Sequence, residues 1–128
     1  ANIAMSAWET IGPTDSGAGN IWTALDDIPT DVSWVKLRGY CYGQETGGVA
    51  ATITQTRLYI SGENGAADSN RLAAILDTVL DPSGNGTASC MFEITVPVTN
   101  KVFYVYWTSD FTTNNSVEFY LVGYGYNS

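Results

Sequence analysis

The chain has 128 residues, 45% of them hydrophobic, which is typical of one globular domain. Thirteen acidic residues against five basic ones give a net charge of -8. This balance argues against nucleic-acid and anionic-membrane partners, because both require clustered positive charge. No histidine is present, which excludes Ser-His-Asp and Cys-His catalysis and removes the commonest metal ligand.

The first residues have neither a basic start nor a long apolar run, so we expect a protein made and kept in a cytoplasm. Residues 5–11 are typical of a strand. Segment 1–11 is therefore predicted to be an N-terminal arm or an edge strand, able to add to a neighbour's sheet. Residues 12–128 are predicted to form a single β-sandwich domain, in which residues 21–25 form a short strand or a helical turn.

Two long strands are predicted next, over residues 34–42 and 49–60. The first alternates between two sets of side chains. Its smaller set, on one face, is Val35, Leu37, Gly39 and Cys41. Its larger set, on the other face, is Trp34, Lys36, Arg38, Tyr40 and Tyr42.

Residues 71–80 are ambiguous, because Leu72, Ile75, Leu76 and Val79 also fit a helical stripe. We favour a strand, because both neighbouring segments are strands and residues 81–86 form a strong turn.

Three further strands are predicted in the last third, over residues 87–96, 101–108 and 117–126. Pro97 marks the first of them as an edge strand or a bulge. The second is almost continuously apolar, which indicates cover on both faces. The third places Val117, Phe119 and Leu121 on one face, and the opposite face carries Glu118, Tyr120, Val122, Tyr124 and Tyr126.

Seven or eight strands at this spacing, without βαβ alternation, predict an all-β, antiparallel β-sandwich. Among such folds we favour a jelly-roll-like arrangement of about eight strands. Cys41 and Cys90 are either buried thiols, as favoured in a reducing cytoplasm, or a disulfide that bridges two strands.

Few side chains are candidates for catalysis or metal binding. Glu93 and Glu118 lie in strands, as glycosidase carboxylates do, but each falls opposite the apolar set and is interpreted as an exposed charge. Asp26, Asp27 and Asp31 are close enough in sequence for Ca²⁺ but lack EF-hand spacing, and are interpreted as loop carboxylates without an ion. We therefore expect no enzyme activity, no cofactor and no metal.

The aromatic strand faces are the strongest functional signal. Three alternatives remain open for them: burial in a thick sandwich, a subunit interface, or a platform for sugars. The candidate interface residues are Trp34, Tyr40, Tyr42, Tyr120, Tyr124 and Tyr126. A possible glycan site combines Trp107 with Asp110, Asn114 and Asn115.

Three stretches resemble small virion proteins of tailed bacteriophages: residues 20–29 (NIWTALDDIP), 34–38 (WVKLR) and 119–126 (FYLVGYGY). The similarity is greatest to capsid decoration, or cement, proteins with a jelly-roll body. The resemblance implies assembly in the host cytoplasm and a place on the virion surface. It also implies binding to the major capsid protein, often as a homotrimer at three-fold positions, which stabilises the head against internal DNA pressure. The alternative function is a carbohydrate-binding or receptor-binding virion module.

Overall fold

Eight strands in two stacked sheets make up the protein, as seen in a computed structural model that describes residues 8–15, 21–22, 25–63 and 72–127. The side chains of residues 21 and 22 are not among those described. In chain order the strands are β1 (Glu9–Ile11), β2 (Ile21–Trp22), β3 (Trp34–Glu45), β4 (Ile53–Ser61), β5 (Leu72–Val79), β6 (Gly86–Pro97), β7 (Phe103–Ser109) and β8 (Asn114–Gly125). Pro13–Asp15 and Leu25–Asp27 form 3₁₀ turns.

The predicted all-β antiparallel sandwich is confirmed. Sheet A has the order β1-β7-β4-β5, and sheet B has the order β2-β8-β3-β6. Every pairing is antiparallel except that of the two-residue strand β2, which lies parallel to β8. From β3 onward the chain wraps as in a jelly roll, with β3 between β8 and β6 and β4 between β7 and β5.

The alternation of apolar side chains places the core between the sheets. Inward side chains of β3, β7 and β8 are fully buried, among them Val35, Leu37, Phe103 and Phe119. Residues 71–80 were ambiguous in sequence, and the predicted strand there is confirmed as β5, with Leu76 buried. Pro97 ends β6 at the edge of sheet B, as predicted.

Three predicted boundaries are wrong by three or four residues, one of them the start of the last strand, which is Asn114 instead of residue 117. The strand predicted from residue 49 begins only at Ile53, because residues 49–52 form a turn in which Ala51 has a φ of 61° and the Thr52 hydroxyl donates to the Val49 carbonyl. Strand β3 continues to Glu45 instead of ending at residue 42. The Phe111 ring covers Gly43 there, so the glycine does not break the strand.

The structure describes only residues 8–11 of the segment predicted to be an N-terminal arm or an edge strand. Residues 1–7, the rest of the proposed arm, lie outside the described residues. Strand β1 forms one edge of sheet A by pairing with β7 of its own chain, and Ile11 lies in the core. Residues 21–25 contain both elements that were considered, a short strand at 21–22 and the start of a 3₁₀ turn at Leu25.

The segment predicted to be covered on both faces, β7, is buried on one face only. Phe103, Val105 and Trp107 face the core. Tyr104 and Tyr106 are half-buried on the outside. There the Tyr106 ring lies 5.5 Å from the ring of Trp8 and 5.8 Å from that of Tyr59, measured between centroids.

Candidate interaction surface

Four of the six aromatic residues singled out in the sequence lie on one face of the molecule. Trp34, Tyr40 and Tyr42 alternate along β3 with buried inward residues, and Tyr120 on β8 is paired with the outward Arg38. A β-bulge then reverses the phase of β8 after Leu121, so that Tyr124 is paired with the buried Val35. The prediction that Tyr124 shares the face of Tyr120 is therefore wrong. The outer surface of sheet B that carries Trp34, Tyr40, Tyr42 and Tyr120 is hereafter the aromatic face.

Tyr120 is the most accessible ring of the aromatic face, and Tyr124 and Tyr126 are exposed at the end of β8. Tyr120, Tyr124 and Tyr126 are 42% to 52% exposed. Trp34, Tyr40 and Tyr42 are half-buried. Burial inside a thick sandwich, one of the alternatives left open by the sequence, therefore does not apply to the β8 tyrosines.

Trp34 lies flat against the neighbouring strand. A Cβ atom built on Gly125, its partner in β8, would come within 2.2 Å of the indole ring. Gly125 therefore makes room for the indole, which is partly covered by its own sheet. A partner would reach one side of this ring only.

Two aliphatic side chains extend the face. Met91 on β6 is 71% exposed and lies directly opposite Tyr40. Val122 on β8 is also exposed. The sequence pattern predicts outward positions for both residues, but neither was among the candidate interface residues, which are all aromatic.

The charges of the aromatic face cancel. Lys36 and Arg38 lie 3.4 and 3.3 Å from the Glu93 carboxylate, and Glu118 accepts a hydrogen bond from the Tyr120 hydroxyl. Exposed ion pairs of this kind add little stability. Two positive and two negative residues nevertheless give this face no net charge, in a chain of net charge -8.

Two exposed phenols lie beside carboxylates. The hydrogen bond to Glu118 raises the pKa of Tyr120. Desolvation and the negative charge of Asp31 raise the pKa of Tyr126. The Tyr120 hydroxyl already donates its one hydrogen to Glu118, so a partner would meet its oxygen as an acceptor.

The two carboxylates considered for glycoside hydrolysis lie on this open face. Glu93 on β6 lies opposite Arg38 and Glu118 on β8 lies opposite Tyr40, so two strand spacings and two residues along the strand put their Cα atoms about 12 Å apart. Glycosidase pairs span about 5 to 9.5 Å across the scissile bond. With Glu93 also held by two cations, the arrangement is that of surface charges.

Metal ligands do not converge. Within residues 8–15, 25–63 and 72–127, no group of three or more cysteine or carboxylate side chains is arranged to hold a metal ion. Asp26, Asp27 and Asp31 are exposed.

The glycan site predicted around Trp107 is wrong in its geometry. Trp107 faces the core and is only 5% exposed, so its ring cannot stack on a sugar. The Asn115 side chain is engaged within the loop, where it contacts the Phe111 carbonyl and the Ser109 hydroxyl. Period-two alternation could have revealed this, because Trp107 shares its phase with the buried Phe103 and Val105.

Cys41 and Cys90 are free thiols that lie directly opposite each other on β3 and β6. Cys41 is buried and Cys90 is half-buried, in agreement with the favoured interpretation. Burial raises the pKa of both thiols. Both are therefore protonated at neutral pH and are poor nucleophiles.

A second exposed apolar patch was not anticipated. Ile53 and Val79 are directly opposed on the outer surface of sheet A, with Val49 in the preceding turn and Ile75 four residues before Val79 on β5. These four residues lie in segments with few aromatics, and the search for aromatic strand faces did not select them.

Comparison with known proteins returned no match, either to a family model or to a curated sequence. No helix among the described residues is long and apolar enough to cross a membrane. Functional inference therefore rests on the geometry of the surface.

Proposed function

We propose that this chain is a virion structural protein that binds and stabilises an assembled tailed-phage capsid as an oligomer. Its partner is the major capsid protein, its expected form is a homotrimer, and its place is the virion surface after assembly in the host cytoplasm. The chain acts by contact and not by catalysis.

The observation that carries this proposal is an uncharged, partly exposed aromatic face on an otherwise acidic molecule. Copies of a chain with net charge -8 repel one another unless they meet where the charges cancel. Tyrosine combines a large apolar area with a hydroxyl, and is enriched in interfaces for this reason. The resemblance to decoration proteins adds the capsid as the surface to be bound.

Co-sedimentation with capsids of the virus that encodes the chain tests the proposal. We expect the wild-type chain to pellet with capsids and the combined variant Tyr40→Ser, Tyr42→Ser, Tyr120→Ser, which removes the three tyrosines of the aromatic face, to remain in the supernatant. A matched control replaces three exposed aliphatic residues of the other sheet, Val49→Ser, Ile53→Ser, Val79→Ser, and should still pellet. Wild type that stays in the supernatant would contradict the proposal.

Carbohydrate binding is the alternative function, and one feature favours it. A polar groove at the end of the sandwich is lined by Asp31, Ser33, Asn100 and Asn127 among others. Tyr126 precedes Asn127 in the chain and is exposed, and it could stack on a sugar ring. Glycan binding that Asn127→Ala or Tyr126→Ala abolishes would support this alternative, and an array without signal would reject it.

A further inference from the structure

Strand β6 is the last strand of sheet B and is unusually regular for an edge. Its twelve residues pair with β3 without a register shift. In the part of the chain that the structure describes, its other edge pairs with no strand. Unpaired edges of this length are templates for another strand.

The direction of the hydrogen bonds identifies the groups on the free edge. The Val98 amide donates to the carbonyl of Ser33, the residue opposite it in the β3–β6 register, at 3.1 Å. Bonding direction alternates along a strand, so the backbone groups of the even-numbered residues of β6 bond to β3 and those of the odd-numbered residues point to the free edge. The residues with both an N–H and a C=O at the free edge, hereafter the outward set, are Thr87, Ser89, Met91, Glu93 and Thr95. Pro97 has no N–H and ends the series.

The inward side chains of β6 lie at the margin of the core and are only partly covered. Ala88, Cys90, Phe92 and Ile94 pack against the core but remain partly exposed, whereas the inward residues opposite them on β3 are buried. A further strand beside β6 would cover this apolar row.

We propose that the free edge of β6 binds the same edge of a second copy of this chain, antiparallel, about a two-fold axis at Met91. The outward set is symmetric about Met91, so every outward residue gains a partner. Met91 pairs with Met91 of the second copy, Ser89 pairs with Glu93, and Thr87 pairs with Thr95. The sheets B of the two copies then become one continuous sheet.

The side chains are self-complementary in this register. Two exposed methionines meet at the centre, and threonines face each other at both ends, a favourable cross-strand pair. Each Glu93 faces a serine and lies about 14 Å along the strand from the other Glu93. Its charge is already balanced by Lys36 and Arg38. No like charges are brought directly opposite each other.

This contact is separate from the proposed capsid function. It uses the backbone groups at the edge of β6 and not the rings of the aromatic face, and it is tested on the isolated chain. If both hold, the edge contact links capsid-bound oligomers in pairs.

Sedimentation equilibrium over a range of concentrations tests the register with two lysine substitutions of equal charge. Met91→Lys places two lysines directly opposite each other, and we expect the dissociation constant to rise about tenfold or more. Ser89→Lys places each lysine opposite Glu93 of the other copy and should keep or tighten association. Val79→Lys, at an exposed site on sheet A, controls for the change in net charge and should associate as wild type or more tightly.

Amide exchange of the wild-type chain, measured by NMR, tests the same contact without a mutation. At high concentration the outward amides of Ser89, Met91 and Glu93 should exchange more slowly than at low concentration. The amides of Cys90 and Phe92 already bond to β3 and should change little. Outward amides with equal rates at both concentrations would overturn the proposal, as would a Ser89→Lys variant that is weakened as much as Met91→Lys.

Discussion

Two glycines in neighbouring turns adopt the left-handed backbone region, and their surroundings differ. Gly47 has a φ of 71°, and a Cβ atom there would have no heavy atom within 4 Å. Gly84 has a φ of 77°, and a Cβ atom would lie 2.0 Å from the Gly48 carbonyl oxygen. That oxygen belongs to backbone held in place by the Gly48 N–H bond to the Gly84 carbonyl.

We expect Gly47→Ala to lower the free energy of unfolding by about 1–2 kcal/mol, the left-handed penalty of a non-glycine residue. Gly84→Ala should cost clearly more, because the backbone of the two turns must also separate. Urea denaturation of both variants measures the difference. Equal losses would show that the close approach at Gly84 contributes nothing.

Glu45 is a carboxylate with a structural role. It lies buried at the end of β3, where one oxygen accepts the Thr112 hydroxyl at 2.6 Å and the Thr113 hydroxyl at 3.3 Å. The hydrogen bond from Thr112 is the main reason that the pKa of Glu45 lies below its ordinary value. The loop between β7 and β8 is thereby attached to β3.

The lowered pKa sets the sign of the pH dependence. The folded chain binds this proton less readily than the unfolded chain, so the contribution is complete above about pH 4.3 and is lost as pH falls through the lower folded value. We expect Glu45→Gln to reduce stability at neutral pH and to flatten its dependence on pH in the acid range. Thermal unfolding of both proteins from neutral to acid pH checks this, and parallel curves would contradict it.

At the scale of elements, one glycine allows two phenylalanines to meet across three strands. Gly39 on β3 lies between Phe92 on β6 and Phe119 on β8, and the two rings make an edge contact with centroids 6.1 Å apart. A Cβ atom on Gly39 would be 2.1 Å from the Phe92 ring. The Phe92 ring occupies the space that a side chain at residue 39 would need.

Gly39→Ala should therefore destabilise the chain by about 1–3 kcal/mol, as overpacking does. In a Phe92→Ala background the same change should cost much less, because the ring that it displaces is gone. Chemical denaturation of the four proteins of this cycle gives the coupling. Additive losses would show that the two positions act independently.

The strands and their inward phase could be predicted, except at the end of β8, because burial follows period-two alternation and a bulge after Leu121 interrupts it there. Val35, Leu37 and Phe119 show this directly. The shared location of Tyr40 and Tyr120 could not be predicted, since it depends on β3 pairing with β8, a contact between distant parts of the chain. The extension of β3 through Gly43 was missed for the same reason, because the ring that covers it comes from Phe111.

At the scale of the whole molecule, the acidic charge and the neutral aromatic face belong together. Four charged residues cancel on the outer surface of sheet B, so the net charge of -8 is carried elsewhere. Charge of one sign opposes the close approach of two copies wherever it is exposed. If copies associate, we therefore expect them to meet at surfaces where the charges cancel.

Hydroxyl-radical footprinting with mass spectrometry tests most directly whether the aromatic face is an interface. The chain is labelled at a concentration where light scattering finds a monomer and again where it finds an oligomer. We expect oxidation of Tyr40, Tyr42 and Tyr120 to fall several-fold in the oligomer, while half-buried Tyr59 on sheet A stays constant. Equal oxidation of these three tyrosines of the aromatic face in both states, or a monomer at every concentration, would contradict the account.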